Sequence, residues 1–219
     1  MSALSRTPRV KICGITSPED AEAAIDAGAD ALGFNGFPGS KRYIDLAAAS
    51  DWIARLPALV TRVAVLVNPT LQEALAVAAL PGIDLIQFHG DETPAFCASF
   101  AAHGFIKALA VRNRETLEGA TAYETRTVLL DAFVPGAYGG TGQLIDLPLA
   151  AGFIAAHREL RVILSGGLTP GNLAGAIRAT APYGVDVASG VESQPRRKEP
   201  SLMREFVAAA REAAFSQGG

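Results

Sequence analysis

The chain is 219 residues long, 49% hydrophobic and 19% charged, with a formal net charge of −3. A slightly acidic balance without a recurring basic face argues against a nucleic-acid partner, and no apolar stretch is long enough to span a membrane. Its two cysteines, Cys13 and Cys97, give no disulfide framework and fit a reducing cytoplasm.

Residues 1–7 lack an apolar run, so they read as a flexible N-terminal extension rather than a signal peptide. The first apolar run, 9–13, ends on Cys13. Gly14 breaks it, and Ser17-Pro18 opens a helix as N-cap and first helical residue. Further strand-like runs follow at 30–34, 62–67, 84–88, 105–109, 127–131, 161–165 and 185–189. Their starts lie roughly 20 to 35 residues apart, room for a strand and a crossover helix. Between them, Ala21, Ala24, Ile25 and Gly28 fall at helical spacing. Thr70 and Glu73 form a capping box, and Thr169-Pro170 opens the seventh helix. Leu202, Phe206, Val207 and Ala210 line one stripe of the last helix. Eight such units predict an α/β fold, a (β/α)8 TIM barrel in a single domain over 8–216. The competitor, an open doubly wound sheet, usually has fewer strands at this length and a Gly-rich first turn. Extended loops are expected after strands two and six.

In a barrel of this kind the active site forms at the C-terminal ends of the strands. Cys13 stands at such an end. It reads as a base, a nucleophile or a small buried hydrophobe. Asp131 closes Val128-Leu129-Leu130-Asp131, and a carboxylate behind three large apolar residues needs a reason, catalysis or a helix cap. Ser165-Gly166-Gly167 and Ser189-Gly190 end strands seven and eight, the loop pair that often holds a phosphate in this fold. Glycine there lets backbone N–H groups approach an anion closely. Gly139-Gly140-Thr141-Gly142 lacks the Gly-Lys-Ser/Thr ending of a nucleotide P-loop and reads as a lid or a plain surface loop. Arg42 is a candidate fork for a substrate carboxylate, or a surface arginine. Lys11 shares the Cys13 face of strand one. A buried lysine needs a partner, and Asp186 on the adjoining strand eight is expected within about 6 Å. Gln87 and His89 share a face, with no catalytic role given to His89. Cys97, with Phe96 and Phe100 nearby, reads as core. Arg196-Arg197-Lys198, between Pro195 and Pro200, reads as a solvated loop.

Taken together, these residues resemble the phosphoribosylanthranilate isomerase family. The matching pieces are Lys11-Ile12-Cys13-Gly14-Ile15-Thr16, Gly33-Phe34 with Ser40 and Arg42-Tyr43, and Gln87-Phe88-His89-Gly90. They continue through Leu130-Asp131, Gly139-Gly140-Thr141-Gly142, Gly166-Gly167-Leu168 with Asn172, and Gly184-Val185-Asp186-Val187 with Ser189-Gly190-Val191-Glu192. Departures from the family pattern are Lys41 where proline is usual, Gln143 where lysine is usual, and Lys198-Glu199 where Lys-Asp is favoured. The resemblance implies an Amadori rearrangement of N-(5-phosphoribosyl)anthranilate in tryptophan biosynthesis. It implies Asp131 as general acid and Cys13 as general base. Arg42 would hold the anthranilate carboxylate, and Gly166, Gly167, Ser189 and Gly190 the phosphate. No cofactor or metal is implied, because the iminium intermediate is its own electron sink. The partner is a small phosphosugar, with monomer and homodimer both open. Two rivals stand beside this reading: the analogous sugar isomerase of histidine biosynthesis, with an aspartate where Cys13 stands, and a non-catalytic phosphosugar-binding barrel.

Overall fold

The computed structural model describes residues 7–133 and 142–215. The expected extension, 1–7, lies outside them except for Thr7, as do Gly139, Gly140 and Thr141 of the expected lid. The eight barrel strands run β1 (Arg9–Cys13), β2 (Ala31–Asn35), β3 (Thr61–Leu66), β4 (Leu85–Phe88), β5 (Phe105–Val111), β6 (Thr127–Ala132), β7 (Arg161–Leu164) and β8 (Gly184–Val187). They pair in parallel in chain order, and β8 closes onto β1. The helices between them are α1 (Pro18–Asp26), α2 (Leu46–Ala54), α3 (Leu71–Ala78), α4 (Pro94–Ala98), α5 (Glu115–Glu118), α6 (Leu147–Ala156) and α7 (Pro170–Thr180), with α8 (Pro200–Phe215) last. The (β/α)8 barrel expected from the spacing is therefore present. No helix among the described residues is long and apolar enough to cross a membrane.

Local chemistry sets the element ends. Ser17 accepts a hydrogen bond from Asp20 N, and Thr70 and Glu73 cap α3 reciprocally. β2 and β4 begin one residue later than the sequence pattern suggests, because Asp30 and Asp84 staple neighbouring strands. Asp30 accepts from Val10 N at 2.8 Å and pairs with Arg9, while Asp84 accepts from Arg62 N at 2.8 Å and pairs with the Arg62 guanidinium. β8 stops at Val187 because Ser189–Val191 turn into a short 3-10 helix.

Two apolar compartments hold the barrel. The outer one, between strands and helices, includes Phe34, Phe88, Phe100 and Phe206, and it contains Cys97 as expected. Burial pushes the Cys97 thiol up to about 11. The inner one fills the barrel with Val63, Ile106, Ala108, Leu129 and Ile163. Each large side chain so buried contributes about 1.5–3 kcal/mol. The inner layer also fixes where the polar groups point. Cys13 pairs in register with Gly33, and Gly33 with Val63, so Cys13 shares the inner face with Val63. Asp131 lies two residues beyond the inward Leu129, so it shares the inner face at the C-terminal end of β6.

Candidate active site

Cys13 and Asp131 thus line the same mouth of the barrel from β1 and β6. Three more inward groups sit beneath and beside Cys13. Lys11 Nζ lies 2.7 Å from Asp186 Oδ1, the pairing expected from sequence, and Ser165 Oγ donates to Asp186 Oδ2 at 3.0 Å. Lys11, Asp186 and Ser165 are all buried. Burial works against the Lys11 charge, but the Asp186 carboxylate more than offsets it and holds the ammonium above its ordinary value. Burial pushes the Cys13 thiol up, opposed by the positive charges of Lys11 and Lys198.

Asp131 is buried, with Oδ1 accepting from Ala132 N at 2.9 Å. Its Oδ2 lies 3.2 Å from His89 Nε2, and His89 Nδ1 lies 2.8 Å from Gln87 Nε2. His89, set aside on sequence grounds, is therefore the direct neighbour of Asp131. The other amide atom of Gln87, Oε1, is buried without a hydrogen-bond partner among the described residues. The loop that carries His89 is pinned from behind. Lys107 Nζ donates to Gly90 O at 2.6 Å and pairs with Glu92 at 2.7 Å, while Glu92 accepts from Asn68 N and Gly90 N.

Arg42 lies in the loop after β2, where Ser40 Oγ accepts from its backbone N–H. Its guanidinium is buried and grips Glu192 through two hydrogen bonds of 2.6 Å, from Nε and Nη2. Lys198 Nζ donates to the same carboxylate at 3.0 Å and to Cys13 O and Ala188 O at 2.7 and 2.9 Å. Lys198 is 2% exposed, so the expected solvated loop is corrected for this residue, while Arg196 and Arg197 are exposed. The flanking prolines hid a cation that folds inward to join the β8 turn to β1. Burial disfavours the Glu192 charge, yet the Arg42 hydrogen bonds and Lys198 hold its carboxyl below the ordinary value.

The glycine loops meet as well. Gly166 and Gly167 adopt φ of +88° and +62°, open to glycine at little cost. A Cβ on Gly167 would lie 2.6 Å from Gln143 O, and one on Gly190 would collide with Leu168 O. Backbone from the loops after β6, β7 and β8 is therefore packed together with no space for side chains. Asn172 braces this turn, accepting from Thr169 N at 2.8 Å and donating to Gly167 O at 2.9 Å.

A family model described as N-(5'phosphoribosyl)anthranilate (PRA) isomerase matches residues 10–209. The N-(5'-phosphoribosyl)anthranilate isomerase of Pelobacter propionicus is 45% identical over 204 residues, covering 93% of this chain and 96% of its own. The solved phosphoribosyl anthranilate isomerase of Thermotoga maritima superposes with a TM-score of 0.85 at 38% identity, covering 94% of this chain and 99% of its own. A structure of such an isomerase in complex with reduced 1-(o-carboxyphenylamino)-1-deoxyribulose 5-phosphate gives 0.81 at 37% identity, with the same coverage. Likeness at this level, over nearly the whole of each chain, goes beyond a shared barrel: the chain belongs to the N-(5'-phosphoribosyl)anthranilate isomerase family, isomerases of tryptophan biosynthesis.

Proposed function

We propose that the chain converts N-(5-phosphoribosyl)anthranilate to 1-(2-carboxyphenylamino)-1-deoxyribulose 5-phosphate, with Asp131 as general acid and Cys13 as general base. Asp131 delivers a proton to the ribose ring oxygen as the C1–O bond breaks, leaving an iminium between C1 and the anthranilate nitrogen. The iminium acidifies the C2 hydrogen. Cys13 thiolate takes that proton and becomes a thiol, while the C–H electron pair forms the C1=C2 bond of an enolamine. Ketonisation then places a proton on C1 and releases the one on the C2 hydroxyl, so no atom is gained or lost. Both transfers are of the kind that a positioned side chain accelerates by about 10²–10⁴-fold.

The observation that carries this reading is the order of the ring. β7 and β8 are the strands that separate β6 from β1 in the closed barrel. The glycine loops at Gly166-Gly167 and Ser189-Gly190 therefore lie between the acid and the base. A phosphate held there leaves the ribose to cross the mouth between Asp131 and Cys13. Arg42, on the far side of β1, takes the anthranilate carboxylate. Since Glu192 occupies the fork of Arg42, the substrate carboxylate meets the remaining guanidinium edge. The two free thiols fit a protein that works in the reducing cytoplasm.

Incubating the purified chain with N-(5-phosphoribosyl)anthranilate tests the activity itself. The expected result is stoichiometric conversion to the aminoketose without added metal or cofactor. Hydrolysis to anthranilate at the uncatalysed rate would overturn it.

A further inference from the structure

Lys11 is a buried cation that no step above uses. It lies one turn of the pleat below Cys13, on the same inward face of β1. Gly33, in register with Cys13, is the place where the two side chains converge. A Cβ on Gly33 would lie 2.6 Å from Cys13 Sγ and 3.0 Å from Lys11 Nζ. Sulfur and ammonium thus border the same small space, which the missing side chain of Gly33 leaves open. The ammonium has little freedom to leave it, since Asp186 holds Nζ at 2.7 Å and Ser165 holds Asp186 in turn.

We propose that Lys11 is a positioning residue for proton transfer at Cys13: its ammonium, clamped by Asp186, is the fixed positive charge against which the thiolate forms and is held toward the mouth of the barrel. The proposal rests on the reading of Cys13 as the base. Among the described residues, the other charges acting on Cys13 are Arg42 on the loop after β2, Lys198 near the start of α8, and the Asp186 carboxylate. Arg42 and Lys198 are both bound to Glu192, and Lys198 reaches the backbone oxygen of Cys13, not its sulfur. Lys11 is the cation directed at the sulfur. The thiolate exists only once the thiol proton has left to solvent. Replacing the ammonium by a neutral chain therefore moves thiolate formation to higher pH, because the stabilised form is the charged one.

The test is the pH dependence of kcat/KM and of the Cys13 thiolate ultraviolet absorbance, taken as a difference against Cys13→Ala, in Lys11→Met and Lys11→Met/Asp186→Asn. The double variant removes both charges, so it leaves no unpaired carboxylate in the barrel and guards against loss of fold. Expected in Lys11→Met is a shift of both curves to higher pH by at least one unit, about a tenfold loss of thiolate at neutral pH, with KM changed far less than kcat. In the double variant, which also loses the Asp186 carboxylate that opposes the thiolate, the shift keeps its direction and is smaller. Folded variants whose absorbance and rate curves coincide with wild type would overturn the proposal. That failure is distinct from failure of the base assignment, which Cys13→Ser reports: an active Cys13→Ser enzyme removes the base, whereas an inactive one beside an unshifted Lys11→Met profile removes only the role of Lys11.

Discussion

His89 Nε2 lies 3.2 Å from Asp131 Oδ2, so the loop after β4 reaches the carboxylate that ends the inward face of β6. Gln87 holds the opposite ring nitrogen at 2.8 Å, so the imidazole plane is fixed from both sides. Loss of His89 therefore releases Asp131 from its orientation. His89→Ala is expected to lower kcat about tenfold to a hundredfold with a smaller change in KM, as a misplaced acid does. Steady-state kinetics check it, and an unchanged kcat would mean that the backbone contact at Ala132 orients Asp131 alone.

Glu192 joins Arg42 and Lys198, three side chains that are each more than nine-tenths buried. Removing the anion leaves two buried cations, so Glu192→Ala is expected to cost about 3–5 kcal/mol in urea unfolding. The pH dependence has a definite sign. The folded Glu192 carboxyl lies below its ordinary value of 4.5, so its stabilisation is present above about pH 4.5 and is lost as pH falls through the lower folded value. The gap in urea midpoint between wild type and Glu192→Gln should narrow on acidification. A gap that stays constant through the acid range would contradict the assignment.

Gly33→Ala places a methyl 2.6 Å from Cys13 Sγ. The sulfur must move, and a displacement of about 1 Å in a reacting group can cost around a hundredfold in rate. A comparable loss of kcat is expected with thermal stability reduced only modestly. Wild-type kcat in this variant would show that Cys13 tolerates the shift and would weigh against a tightly placed base.

Gly167→Ala tests the phosphate cradle. Its φ of +62° and the 2.6 Å approach to Gln143 O force the backbone to move. Loss of one hydrogen bond to a charged phosphate corresponds to about 1.5–3 kcal/mol, so KM should rise roughly tenfold to a hundredfold, with a smaller change in kcat. Inhibition by inorganic phosphate should weaken in parallel. If KM and phosphate inhibition are both unaffected, the phosphate sits elsewhere.

The barrel was legible in the sequence because its information is local. Eight short apolar runs, the caps at Ser17 and Thr70, and the alternation of Lys11, Ile12 and Cys13 each need only a few residues to read. Lys11 and Asp186 could be paired because closure of a barrel puts β8 beside β1. The Arg42–Glu192 grip spans 150 positions and depends on two loops folding toward each other, so no periodicity announces it. The burial of Lys198 is hidden for the same reason: a cation between prolines looks solvated until the turn after β8 folds it under Cys13. His89 carried a usable signal in its shared face with Gln87, but its partner Asp131 stands two strands away.

The most direct measurement is turnover of N-(5-phosphoribosyl)anthranilate by Cys13→Ser and by Asp131→Asn, each shown by circular dichroism to retain the barrel. Serine keeps the shape of the base but not its acidity, and asparagine keeps the shape of the acid but not its proton. Each variant is expected to lose at least about a hundredfold in kcat, the lower range for a general acid or base, while still binding the product. Wild-type turnover by both variants would contradict the assignment of acid and base and leave a barrel that binds the phosphosugar by other means.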